Sequence, residues 1–198
     1  MVSSDKGKRV KESALLELAR LYAQIDRSVE RLVERHAARL NCKRGCCACC
    51  VDDLTVFEIE AENIRRRHSV LLRSQAPHPS GRCAFLDADG ACRIYQDRPY
   101  VCRTQGLPLR WLEEAADGQI FELRDICPLN DDGEAIEQLS ENDCWTIGPA
   151  ESQLAKLQAL FGGGKMNRVR LRELFGSNKA FETNTQIREE KQPCNGSP

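Results

Sequence analysis

Apolar residues recur every three or four positions between Val10 and Leu40, a spacing typical of one face of an α-helix. We therefore predict a long amphipathic helix at the N-terminal end. The same spacing occurs in coiled coils, so a homodimer through this helix is one alternative. The other is packing within one chain, because Leu154, Leu157 and Phe161 form a second apolar stripe. We favour packing within one chain.

Local patterns predict two elements in the middle of the chain. Thr55 and Glu58 have the spacing of a capping box, and the apolar positions after them predict a second helix to about Leu72. Two short apolar runs, 107–112 and 119–124, enclose a turn that contains Asp-Gly. This arrangement predicts a small β-hairpin.

A third helix is predicted from about Glu151 to Phe161, because three consecutive glycines follow it and would end it. Four apolar residues beyond the glycines look able to pack, namely Val169, Leu171, Leu174 and Phe175. The tail 177–198 is polar and contains proline and glycine, so we expect it to be disordered.

These elements predict a mainly α fold class: a small helical domain with an irregular cysteine-rich core and a short β-hairpin. The predicted organisation is an N-terminal amphipathic helix at 1–41 and a cysteine-cluster domain at 42–148. C-terminal helices that pack on this domain follow at 149–176, and the disordered tail occupies 177–198.

Composition narrows the classes of partner and the compartment. The formal net charge is −1, so nothing in the overall balance favours nucleic acid or an anionic membrane. No apolar run approaches a membrane span, and the N-terminal segment lacks the continuous apolar region of a signal peptide. We therefore expect a cytoplasmic protein, in whose reducing compartment clustered cysteines act as metal ligands or redox groups.

Five of the eleven cysteines fall within the nine residues Cys42–Cys50. Disulfides do not account for this density, because the number is odd and two pairs are adjacent in sequence, where a bridge would close only a strained ring. Spacers of two or three residues, by contrast, let one turn of backbone bring two sulfurs to one metal ion.

Further along the chain the cysteines occur in Arg82-Cys83-Ala-Phe-Leu, Gly90-Ala-Cys92-Arg-Ile-Tyr, Arg98-Pro99-x-x-Cys102-Arg103 and Cys127-Pro128-Leu129. With the first group, this order resembles a bacterial zinc- or iron-chelating family named for a CxxCxxCC motif. The resemblance covers roughly residues 42–130 and implies metal chelation without a specific reaction. The ligands that it implies are Cys42, Cys46, Cys49, Cys50, Cys83, Cys92, Cys102 and Cys127.

The chain departs from the family motif at the first spacer, which has three residues here, and Cys47 is an additional thiol. Whether Cys46 or Cys47 is the second ligand therefore stays open. Cys144 is either a ninth ligand or a buried thiol beside Trp145. His36 lies on the apolar face of the first predicted helix, and we interpret it as a packed residue.

Eight thiolates would fill about two four-coordinate sites for zinc or iron, with a structural or chelating role. The alternative is a [4Fe–4S] iron–sulfur protein with a redox role, or part of a modifying enzyme. No catalytic signature is found, so no enzyme activity is assigned. Several basic residues are close to cysteines in sequence and are either solvated or able to screen the sulfurs: Lys43, Arg44, Arg82, Arg93, Arg98 and Arg103.

Overall fold

The computed structural model describes residues 2–176, with side chains from residue 5 onward. The predicted disordered tail lies outside the described residues. The described helices are α1 (Val2–Arg35), α2 (Glu58–Arg67), α3 (Ser69–Ser74), α4 (Tyr100–Arg103) and α5 (Pro149–Phe161). The described strands are β1 (Thr55–Phe57), β2 (Leu109–Glu114), β3 (Ile120–Asp125), β4 (Trp145–Thr146) and β5 (Arg168–Arg170). Short 3₁₀ helices span Tyr95–Asp97, Pro128–Asn130, Ile136–Gln138, Glu141–Asp143 and Leu171–Phe175.

The predicted mainly α fold class is wrong. Of the described residues, 47 % are helical and 13 % are in strands, with two small sheets, so the described fold is mixed α/β. The additional strands β1, β4 and β5 have only two or three residues each, which is too short for an alternating pattern to be visible in the sequence. Contacts along the chain define two compact units. Among the described residues, unit 1 comprises 2–42 and 99–166, and unit 2 comprises 43–98 and 167–176.

In unit 1 the long helix α1 packs against α5. Leu18 of α1 is 1 % exposed and Leu154 of α5 is 4 % exposed. At the far end of the contact, Lys11 Nζ lies 4.9 Å from the centroid of the Phe161 ring. The apolar stripe of α1 is thus covered within the chain, as predicted, because burying this stripe is what stabilises an amphipathic helix. A homodimer through α1 stays a prediction.

Unit 1 also contains a three-stranded sheet in the order β3-β2-β4. Strands β2 and β3 are antiparallel and form the predicted hairpin, and β4 adds in parallel to β2. The turn has the predicted chemistry: the Gln119 amide donates to Asp117 Oδ1 at 3.0 Å, and Gly118 has a φ of +82°, which glycine adopts without steric cost.

Unit 2 is built on the antiparallel pair β1 and β5, with Val56 opposite Val169. Its core includes Phe85 and Phe175, whose ring centroids are 4.8 Å apart. Leu171, Leu174 and Phe175 are all buried in this core, as their apolar character predicted. The C-terminal residues of the described chain therefore complete the core beneath the cysteine-bearing loops.

The second helix differs from its prediction at both ends. Thr55 belongs to β1, and α2 begins at Glu58, where the Phe57 amide donates to Glu60 Oε2 at 3.1 Å. The helix is interrupted at His68, after which α3 continues to Ser74. Strand pairing with β5 thus overrides the capping signal that Thr55 and Glu58 carry in the sequence.

Candidate metal centre

The eight predicted ligands are not in disulfide bonds and are divided between the two units. Unit 1 contains Cys42, Cys102 and Cys127. Unit 2 contains Cys46, Cys49, Cys50, Cys83 and Cys92. Two cysteines of the same short motif, Cys42 and Cys46, therefore belong to different units.

Cys49 and Cys50 form the first thiol pair of unit 2. A tight turn places them side by side, with the Cys50 amide donating to the Cys47 carbonyl at 3.0 Å. A hydrogen bond from the Cys50 side chain lowers the pKa of Cys49 from 9.0 to about 6, with burial opposing and the Arg98 charge reinforcing the shift. Since the thiolate is the form that ligates metal, Cys49 is poised to bind at neutral pH.

Cys83 and Cys92 form the second pair. The Cys83 amide donates to the Cys50 carbonyl at 3.1 Å, which ties this pair to the first, and a β-bridge joins Leu86 to Cys92. Burial raises the pKa of both thiols, and the Cys83 charge raises that of Cys92 further. A shared cation would offset the repulsion between the two thiolates.

These thiols lie in pairs and do not form a completed coordination shell. Among the side chains of residues 5–176, no group of three or more His, Cys, Asp or Glu has an arrangement that could hold a metal ion. The donor chemistry nevertheless fits zinc or iron, since both accept thiolate sulfur. Unit 2 thus contains thiols suited to zinc or iron, but their sulfurs are not arranged around one point.

The choice between Cys46 and Cys47 stays open. Cys46 is half-buried, whereas Cys47 is only 5 % exposed and its sulfur accepts a hydrogen bond from Arg82 Nη1 at 2.9 Å. A Cβ atom at Gly90 would lie 3.5 Å from that sulfur and 3.3 Å from the Gly45 carbonyl. The loop around Cys47 is therefore closely packed.

In unit 1 the sulfur of Cys42 is surrounded by two residues that the sequence analysis did not single out. Asn130 Nδ2 donates to Cys42 Sγ at 3.3 Å. A Cβ atom added to Gly106 would lie only 2.6 Å from the same sulfur. A side chain at position 106 would therefore displace the sulfur, and the φ of +92° is one that residues other than glycine rarely adopt. The backbone amide of Asn130 donates to the Cys127 carbonyl at 2.7 Å, so the same residue contacts Cys42 and the turn that carries Cys127.

Residues 41–128 match the model of the CxxCxxCC family, described as a "putative zinc- or iron-chelating domain". The resemblance seen in the cysteine pattern is thereby confirmed. The matched segment, called the chelating domain below, covers less than half of the chain and indicates binding of zinc or iron ions. No curated protein and no solved structure matches the chain. The helices among the described residues include none with the length and apolar character needed to cross a membrane. A cytoplasmic location stays a prediction.

Beyond the chelating domain, Cys144 has the surroundings of a buried thiol. It is 6 % exposed, burial raises its pKa, and Arg124 Nη1 lies 3.9 Å from its sulfur. His36 is 7 % exposed, and its Nε2 donates to the Asp143 carbonyl at 2.6 Å. These contacts favour a packing role for both residues over metal ligation.

The basic residues near the cysteines have different partners. The Arg98 charge lowers the pKa of both Cys49 and Cys92, so this guanidinium acts on one member of each thiol pair in unit 2. The charge of Arg93 also lowers the pKa of Cys92. Arg103, by contrast, forms an ion pair with Asp26 at 2.6 Å and lies over the Tyr22 ring. The expected interaction with sulfurs therefore applies to Arg98 and Arg93, and to Arg82, which donates to the Cys47 sulfur.

Proposed function

We propose that the chelating domain binds zinc or iron through cysteine thiolates, with one four-coordinate site formed by Cys49, Cys50, Cys83 and Cys92. The observation that carries this proposal is the hydrogen bond from the Cys83 amide to the Cys50 carbonyl, at 3.1 Å, which ties the two thiol pairs of unit 2 together. Four thiolates satisfy the tetrahedral preference of zinc. Cys42, Cys102 and Cys127 of unit 1 would contribute to a second site.

The charge distribution of unit 2 supports this assignment. Four thiolates around a divalent cation leave a net charge of −2, which a protein must offset nearby. Arg98 acts electrostatically on Cys49 and Cys92, and its ring contact with Tyr95, at 4.0 Å from the centroid, holds the guanidinium in place. The cation is therefore positioned for a negatively charged metal–thiolate centre.

The proposed role of the metal is structural. The two thiol pairs of unit 2 come from turns that are separated by more than thirty residues of chain, so a shared ion would close that loop. Metal that joins unassembled ligands contributes its binding energy to folding, about 10–16 kcal/mol for zinc in finger peptides. That is comparable with the whole net stability of a domain, about 5–15 kcal/mol. We expect the metal-free chain to be much less stable than the loaded chain.

Elemental analysis and a visible absorption spectrum of protein purified without oxygen test the proposal. We expect a metal content of about two zinc or mononuclear iron ions per chain, one for each of the two proposed sites. Cys49→Ser and Cys83→Ser should each lower this content, whereas Cys194→Ser in the tail should not change it. Equal metal content in all variants would contradict the ligand assignment. A brown sample with acid-labile sulfide would instead favour the iron–sulfur alternative.

A further inference from the structure

The side-chain amide of Asn130 is completely buried and has one allowed orientation. Its Oδ1 accepts a hydrogen bond from the Asn41 amide at 2.8 Å, so its Nδ2 must face the other way. On that side Nδ2 donates to the Gly106 carbonyl at 2.8 Å and to Cys42 Sγ at 3.3 Å. Because an amide nitrogen only donates, the Cys42 sulfur must act as the acceptor. A thiolate accepts such a bond more strongly than a thiol does.

Arg39 lies on the backbone side of the same asparagine. Its Nε donates to the Asn130 carbonyl at 3.0 Å, and the residue is only 8 % exposed. Its Nη2 is buried and has no hydrogen-bond partner within the described part of the chain, and no ion pair joins Arg39 to a carboxylate there. Burying a cation without an anion is costly, by several kcal/mol in typical proteins. An anionic group at this place would remove the cost.

We propose that Asn130 and Arg39 are positioning residues for Cys42 as a metal-ligating thiolate: Asn130 orients the sulfur, and Arg39 supplies the compensating positive charge. This inference rests on the proposed function, because it presumes that Cys42 ligates metal. It adds two residues that are not cysteines, and both lie just outside the matched segment 41–128: Arg39 precedes it and Asn130 follows it.

The arrangement is that of an outer shell around a metal ligand. Hydrogen bonds to a ligand atom fix its rotamer and stabilise its deprotonated form, and their loss typically lowers metal affinity about 10- to 100-fold. Gly106 serves the same end, since the absence of a side chain leaves room for the Cys42 sulfur against the backbone. Asn130 and Gly106 therefore both lie close to the Cys42 sulfur, and Arg39 is joined to it through Asn130.

The test is competition of the full-length chain with a chromophoric chelator for Zn²⁺ under reducing, oxygen-free conditions, with the Co²⁺ spectrum as a second readout. Asn130→Asp removes the donor to sulfur and adds negative charge, and should weaken binding of one metal equivalent about 10- to 100-fold. The matched control is Gln158→Glu. Gln158 is also fully buried in unit 1, and its side-chain amide donates to the Lys165 carbonyl at 2.8 Å.

Two variants of Arg39 separate the effect of its charge on metal affinity from the effect of its packing. Arg39→Met should weaken binding of the same equivalent, whereas Arg39→Lys, which retains the charge, should recover most of the affinity. In a Cys42→Ser background, Asn130→Asp should have no additional effect on metal binding, because the coupled atom is gone.

The outcomes are distinct for the two proposals. A wild-type chain that binds no metal overturns the proposed function and this inference with it. A wild-type chain that loads normally, together with Asn130→Asp that loads equally tightly or weakens no more than Gln158→Glu, overturns this inference alone. Equal losses in Arg39→Lys and Arg39→Met would refute the charge role of Arg39.

Discussion

Arg172 holds two cysteine-bearing segments of unit 2 together from outside the chelating domain. Its Nε donates at 2.9 Å to Oδ1 of Asp52, which follows Cys50 by two residues. Its Nη1 donates to the His78 carbonyl at 2.6 Å, and its Nη2 donates to the Arg82 carbonyl at 2.8 Å, one residue before Cys83. Replacing Arg172 by alanine therefore removes hydrogen bonds to both segments at once.

The expected cost follows from these contacts. A hydrogen bond that involves a charged group contributes about 1.5–3 kcal/mol, and removing one partner of a buried ion pair costs about 3–5 kcal/mol. The Arg172 side chain is 25 % exposed and that of Asp52 is 18 % exposed, so solvent reduces the cost. We expect Arg172→Ala to lower the free energy of unfolding by about 2–4 kcal/mol, and Arg172→Lys to recover little because an ammonium cannot reproduce the planar fork.

Denaturant unfolding of the zinc-loaded protein measures this change, and metal content should fall with it. The matched control is Arg170→Ala, two residues earlier. The Arg170 side chain is 59 % exposed and pairs with the exposed Asp53 at 3.6 Å, so its loss should cost less than about 1 kcal/mol. If Arg172→Ala and Arg170→Ala lower the free energy of unfolding equally, the hydrogen bonds of Arg172 do not stabilise unit 2.

Three further predictions concern unit 1. Gly106→Ala should be more destabilising than Gly118→Ala. Both glycines have a positive φ, but only at Gly106 would the added Cβ lie 2.6 Å from a sulfur, whereas nothing lies within 4 Å at Gly118. Equal unfolding midpoints would contradict this close approach. Leu18→Ala should cost about 2–5 kcal/mol, and Leu16→Ala, at a position 64 % exposed on the same helix, less than about 0.5 kcal/mol; a similar loss in both would argue against the packing of α1 on α5. Hydrogen bonds from Ser140 and Arg35 hold the pKa of Asp143 below its usual value. The carboxylate therefore stabilises the fold above its pKa in the unfolded chain, about 4, and this stabilisation is lost as the pH falls towards the lower pKa of the folded protein. The difference in free energy of unfolding between wild type and Asp143→Asn should therefore shrink in acid. A difference that stays constant down to pH 3 would refute it.

Sequence patterns predicted the elements whose signal extends over six or more residues. The helices α1 and α5 and the β2–β3 hairpin are examples, because their faces alternate or repeat along the chain itself. The strands β1, β4 and β5 were missed for the opposite reason. Each is stabilised mainly by a partner that is distant in sequence, as when Thr55 pairs with Arg170. Pairing of this kind leaves no local trace in two or three residues.

The same distinction applies to the site. Thiols can be recognised from residue type and spacing, so the candidate ligands were visible in the sequence. Asn130 and Arg172 were not, because their roles come from contacts with residues 89 and 120 positions away, Asn41 and Asp52. Asparagine and arginine are also common in surface loops and carry no signal of their own.

The division of the cysteine motif limits what its spacing can reveal. A short spacer between Cys42 and Cys46 would ordinarily indicate that both bind one ion. Here Cys42 belongs to unit 1, where its sulfur faces Asn130 and Gly106, whereas the Cys49–Cys50 pair belongs to unit 2 and is tied to Cys83. The spacing identifies thiols suited to chelation, but it does not show which of them belong to the same compact unit. Under the proposed function, loss of Cys42 and loss of Cys49 therefore affect different ions, although only six residues separate them.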